Sequence, residues 1–97
     1  MYFKNPDGEQ RAQRDAAMLI ALGNPHRYRV LNLLIEKEWA VGDLAHEVGL
    51  SQSALSQHLA KLRDLNLVKT RREAQTIFYT CQSMPVEKLL QTLRQMF

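Results

Sequence analysis

The spacing of apolar residues changes sharply after Asn66, and that change limits the chain to a small set of folds. Before Asn66, apolar positions recur every three or four residues, as helices burying one face require. Leu55, Leu59 and Leu62 share one such face, Val30, Leu31, Leu34 and Ile35 a second, and Leu44, Ala45 and Val48 a shorter third. After it, Val68 to Glu73 and Thr76 to Thr80 are rich in β-branched and aromatic residues. A polar turn at Ala74 and Gln75 splits them, so the segment reads as a β-hairpin. Helical spacing returns at Pro85, with Val86, Leu89, Leu90, Leu93 and Met96 on one ridge.

Local signals set the boundaries. Met1 to Gly8 contains Pro6, Asp7 and Gly8 and reads as a loose, flexible arm. A first helix is expected over Glu9 to Leu22, with Ala16, Leu19, Ile20 and Ala12 on one side. Gly23 and Asn24 stop it, and Asn24 can cap a second helix with Pro25 in its first turn, running to about Lys37. A third spans Val41 to Val48 and ends at Gly49. Ser51 caps a fourth that continues to Leu65, where Asn66 can turn left-handed. The expected order is α-α-α-α-β-β-α: one mainly helical domain over residues 9–97, carrying a hairpin.

At 97 residues such a domain has one small core, and burying apolar area against a second copy is a natural way to stabilise it. Apolar stretches such as Val30 to Ile35 are far too short to cross a bilayer, and Met1 to Gln10 shows no secretion-signal core. The lone Cys81 cannot form an internal disulfide, which fits a reducing cytoplasm. A net charge of +3 permits a polyanionic partner and is equally ordinary surface chemistry. No nucleophile motif or Gly-rich phosphate loop is present and the carboxylates are dispersed, so no enzyme is expected.

A short helix, a Gly-containing turn and a Ser-capped helix form a helix-turn-helix. At about 100° per residue, Ser53, Gln57, Ala60 and Lys61 point away from the Leu55, Leu59 and Leu62 face, with Gln52 and Ser56 on its flanks. Short hydroxyls and amides approach base edges closely, Gln can pair bidentately with adenine, and the helix N-terminus at Ser51 favours a phosphate. Arg71 and Arg72 beside the hairpin turn, with Lys69, would make a basic wing for phosphates or a minor groove. Each element by itself is equally a solvated surface. Both together, in this order, favour double-stranded DNA as the partner.

The stretches SQSALSQHLAKL (51–62) and LVKTRREAQTIFYT (67–80), with ALGNPHRYRVLNLL (21–34) and AVGDLAHEVGL (40–50), resemble the ArsR/SmtB family of winged-helix transcription repressors. The resemblance covers nearly everything after the N-terminal arm. It implies a winged helix-turn-helix that dimerises through its first and last helices and places two recognition helices in successive major grooves of an inverted-repeat operator. Carried over by position, Gln52, Ser53, Ser56 and Gln57 would face the groove, and Arg71, Arg72 and Gln75 would belong to the wing. His58 matches a family position, structural or phosphate-contacting; with Ser51 and Lys61 it completes the expected DNA-binding set. Ala16, Leu19 and Ile20 with Leu89, Leu90, Leu93, Met96 and Phe97 would form the dimer interface. Members of the family both repress and activate, so the sign of regulation stays open.

The departures bear on the signal. Metal-sensing relatives carry ELCVCDL where this chain has EWAVGDL, Glu38 to Leu44, without a thiol. Other metal sensors use Asp and His on the last helix, which here offers only Glu87. His26, His46 and His58 are scattered, so no metal or cofactor is expected. Cys81 reads as a small, semi-buried residue, and Tyr28, Trp39, Phe78 and Tyr79 as packing rather than a base-stacking platform. Two alternatives remain: a regulator switched by a thiol at Cys81 or by a metabolite at the dimer interface, and a winged helix that binds protein.

Overall fold

The computed structural model describes residues 6–97. Five helices and three strands follow in the order α1 (Pro6–Leu22), α2 (Pro25–Glu36), β1 (Trp39–Ala40), α3 (Val41–Val48), α4 (Gln52–Asp64), β2 (Lys69–Glu73), β3 (Thr76–Thr80) and α5 (Met84–Met96). The element order read from the sequence holds, with two differences. The first helix begins at Pro6 instead of Glu9. Proline suits a first turn, where its missing N–H would have no helical partner and its fixed φ is already helical. The rest of the expected arm, residues 1–5, lies outside the described residues.

The second difference is β1. Trp39 and Ala40 pair antiparallel with Tyr79 and Phe78, giving a three-stranded sheet in the order β1-β3-β2. Two residues are too few to show a strand period, so this edge was invisible to pattern reading. It matters because it ties the hairpin to the body of the domain, through the connection between α2 and α3.

The caps behave as their chemistry requires. Asn24 Oδ1 accepts the N–H groups of His26 and Arg27 at the start of α2, and Ser83 Oγ accepts that of Val86 at the start of α5. Gly49 ends α3 at φ 72°, a left-handed turn that brings the Leu50 N–H onto the Ala45 carbonyl. Asn66 does the same work after α4 at φ 59°.

Leu31, Leu34, Leu44, Leu55, Leu59, Leu62 and Leu90, with Val30 and Val86, are fully buried and form the core. Helices α2, α3, α4 and α5 therefore share one core, in which the leucine face of α4 is buried. Leu90, expected at a dimer interface, has no exposed surface and belongs to the protomer's own core. Its ridge neighbours are left outside: Leu93 is 37% exposed, Met96 66% and Phe97 96%. On α1, Leu19 and Ile20 are likewise exposed, at 59% and 71%. Among the described residues no helix is long and apolar enough to cross a membrane.

Candidate nucleic-acid interface

The outward face of α4 is the first part of the site. Ser51 holds extended backbone (φ −65°, ψ 157°) and its Oγ accepts the Ala54 N–H at 3.1 Å, so its hydroxyl is engaged in starting the helix. One turn on, Ser53, Ser56 and Gln57 are exposed, while Leu55, Leu59 and Leu62 are buried beneath them. Lys61 and Arg63 follow in the last turn.

Gln52 lies to one side, over the start of α3. A Cβ at Gly42 would come within 3.3 Å of its Nε2, so the bare glycine gives the amide its place. Gln52, Gly42 and Asp43 share an open groove of about 690 Å³ with Gln75, Thr76 and Phe78 of the hairpin. The structure thus brings together the N-terminal end of α4 and the tip of the wing, elements more than twenty positions apart in the chain. Phosphate-sized groups could lie between them. Gly42 and Asp43 carry no distinguishing sequence signal, and only the fold brings them beside Gln52.

The wing is built on alternation. Arg71 lies opposite Phe78 and Arg72 opposite Ile77, so successive arginines project to opposite faces of the ribbon. Their environments differ accordingly. Arg72 is exposed and makes no ion pair among the described residues. Arg71, expected to share its role, is instead held by carboxylates. Its Nε and Nη2 donate to the two oxygens of Glu38 at 3.0 and 2.6 Å, and its Nη1 donates to Glu73 at 2.7 Å. The guanidinium also lies 4.5 Å from the Phe78 ring centroid. This pairing holds the Glu38 carboxyl below its ordinary range and raises the Arg71 pKa further. Glu38 gave no signal in the sequence, because its partner is 33 residues away.

His58 does not join the outward face. It is half-buried at the side of α4, where Arg27 of α2 donates to its Nδ1 at 3.3 Å and the His26 ring lies 5.6 Å away. Burial, then the charges of Arg27, His26 and Lys61, push its pKa down. Arg27 is 7% exposed. It reaches the last carbonyls of α1, with Nε on Ala21 at 2.8 Å and Nη2 on Ile20 at 3.3 Å, where a helix's partial negative charge resides. Lys61 and Arg27 line a smaller hollow of about 330 Å³ between α1 and α4.

Cys81 is buried, and its N–H donates to the Leu34 carbonyl at 3.1 Å. Burial pushes its thiol pKa up. Among the described residues no group of three or more His, Cys, Asp or Glu side chains is placed to hold a metal ion.

Residues 24–70, from the cap of α2 into the wing, match the model of the bacterial regulatory protein, arsR family. Over 92 residues, 95% of this chain and 75% of the relative, the sequence is 52% identical to the nodulation protein NolR of Rhizobium meliloti. It is 43% identical to the transcriptional activator HlyU of Vibrio cholerae, over 92% of this chain and 82% of that protein. The crystal structure of NolR from Sinorhizobium fredii superposes with a TM-score of 0.91 at 50% identity, covering 96% of this chain and 93% of that one. A Mycobacterium bovis fragment described as a homodimeric winged helix-turn-helix DNA-binding domain superposes at 0.86 with 26% identity, covering 99% and 89%. The fold is a winged helix-turn-helix, and the chain belongs to the arsR family of bacterial regulatory proteins.

Proposed function

We propose that this chain is a homodimeric, sequence-specific DNA-binding regulator of transcription that represses from an inverted-repeat operator in the cytoplasm. The observation that carries the reading is the exposed Ser53, Ser56 and Gln57 face of α4, on a helix whose N-terminal end shares one groove with the wing. Gln57 and Gln52 carry amides that match adenine edges, and the serines fit beside phosphates or bases. Ser51 contributes the capped helix end, Lys61 and Arg72 contribute charge to the DNA backbone, and Gln75 approaches from the wing tip.

The dimer rests on the exposed apolar residues of α1 and α5: Leu19, Ile20, Leu93, Met96 and Phe97, with Ala16 and half-buried Leu89 beside them. A patch of this kind is costly in water and characteristic of subunit contact. Twofold pairing would present two α4 helices symmetrically, which selects an inverted repeat as the binding site. No metal enters this reading, because Glu38 to Leu44 has no thiol, and no catalytic role is assigned to any residue.

HlyU carries the name of an activator, so the same contacts serve a second reading in which occupancy raises transcription. Reporter expression with and without the regulator decides the sign. DNA reading itself is tested by binding isotherms at two salt concentrations, on random duplex DNA and on a duplex selected from a random pool. Wild-type affinity should fall with salt on both. Gln57→Ala should weaken the selected duplex by about 1–3 kcal/mol and leave random DNA nearly unchanged. Equal loss on both would remove base readout, and affinity indifferent to salt would make this a protein-binding module.

A further inference from the structure

We propose that Glu38 and Arg71 act together as positioning residues for the wing, and that Arg71 is not one of its phosphate contacts. The inference rests on the reading of α4 and the wing as a DNA-binding surface. Its basis is the route the ion pair takes. Glu38 immediately precedes β1, Arg71 is central in β2, and β3 lies between those strands. The pair therefore crosses the middle strand, passing over Phe78, and fastens the outer strand of the hairpin to the body of the domain. β2 otherwise meets the rest of the fold through β3, since all five of its residues are exposed. Without this fastening the ribbon could twist about β3 and carry Arg72 and Gln75 with it.

The geometry also removes Arg71 from the pool of free cations. All three guanidinium nitrogens donate to carboxylate oxygens, two to Glu38 and one to Glu73, and one face lies toward the Phe78 ring. Two carboxylates against one guanidinium leave this cluster net negative, so Arg71 itself has no free positive charge to offer. A fork-shaped, bidentate pair fixes direction as well as distance. An exposed pair contributes little to folding stability, so its removal should leave the domain folded and expose the positioning role by itself.

Salt dependence separates position from contact, because a variant that no longer neutralises one phosphate has a slope of log affinity against log salt shallower by about 0.9. The probe is a labelled duplex of about 30 base pairs, selected from a random pool on the wild-type protein and long enough for two half-sites. Arg72→Gln should lower the slope. Glu38→Ala and Arg71→Gln should each weaken binding roughly three- to tenfold with the slope unchanged, and the double variant should be no weaker than either single one. Circular dichroism and thermal melting confirm that each variant is folded. A slope lowered by Arg71→Gln, or binding strengthened and steepened by Glu38→Ala, would make Arg71 a phosphate ligand and overturn the proposal. So would variants that bind like the wild type. Failure of the wild-type protein to show any salt-dependent affinity would remove the DNA-binding reading itself, a result distinct from these.

Discussion

Arg27 Nη1 lies 3.3 Å from His58 Nδ1, and this contact joins α2 to the side of the recognition helix α4. An arginine has no acceptor, so it must donate, and Nδ1 must carry its lone pair. The imidazole is therefore neutral in this arrangement, with its proton on Nε2. A protonated His58 would place a second positive charge against the guanidinium of Arg27, a residue only 7% exposed and held by the carbonyls of Ala21 and Ile20.

Stability should consequently fall on mild acidification. The pKa of His58 in the fold is below its ordinary 6.5, through burial and then the charges of Arg27, His26 and Lys61. A depressed pKa means that the folded state binds fewer protons than the unfolded chain. Its contribution is fully present above about pH 7 and is lost as pH falls through the folded pKa. Thermal melts from about pH 7.5 to 5.5 should show a decline that His58→Gln flattens. An identical pH profile in the variant would show that another group governs it. Glu38 also has a lowered pKa but titrates below its ordinary 4.5, so its loss belongs to a more acidic window.

Leu90 and Leu93 sit on one ridge of α5 and should fail differently. Leu90 is fully buried, so Leu90→Ala should destabilise the fold by about 2–5 kcal/mol, through the apolar burial it gives up and the cavity it leaves behind. Leu93 is 37% exposed, so Leu93→Glu should leave the protomer folded and shift a dimer toward monomer. Chemical denaturation reads the first, and sedimentation across a concentration series reads the second. A Leu93→Glu protein that stays dimeric would move the interface away from α5.

These two leucines show how far the sequence reaches. Periodicity identified the α5 ridge, but which part faces inward depends on how α5 lies against α2, and no local pattern encodes that angle. The start of α4 was legible because Ser51, its cap, and Leu55, Leu59 and Leu62, its buried face, all lie within a few turns. The left-handed Asn66 was legible for the same reason. Arg71 was not: one residue from Arg72 it looks equivalent, and only its distant partner Glu38 distinguishes them. Arg27 was hidden likewise, since a basic residue near a helix start gives no sign that it will be buried against another helix's carbonyls.

The wing turn carries strain that one substitution can relieve. Ala74 is held at φ 55°, a left-handed conformation in which its Cβ crowds the following carbonyl. Glycine adopts it freely, at some cost in unfolded-state entropy. Ala74→Gly should therefore stabilise the domain by about 0.5–1 kcal/mol, read from denaturant midpoints at unchanged m-value. A loss of stability would mean that the entropy term outweighs the strain.

Cys81 offers the last test, because a thiol switch is the competing account of how such a regulator senses its signal. Nucleophilic attack requires a thiolate, and here burial shields the sulfur and raises its pKa, against the electropositive setting that reactive cysteines need. The Cys81 N–H is also fixed to the Leu34 carbonyl, so reaching the sulfur requires the segment between β3 and α5 to open. Native protein should thus react slowly with a thiol reagent such as dithionitrobenzoate, and rapidly once unfolded in denaturant. Cys81→Ser should leave DNA affinity before and after peroxide treatment equal to that of the wild type. A peroxide response present in the wild type and absent from Cys81→Ser would place the sensor at this sulfur after all, and would require an opening motion that exposes it.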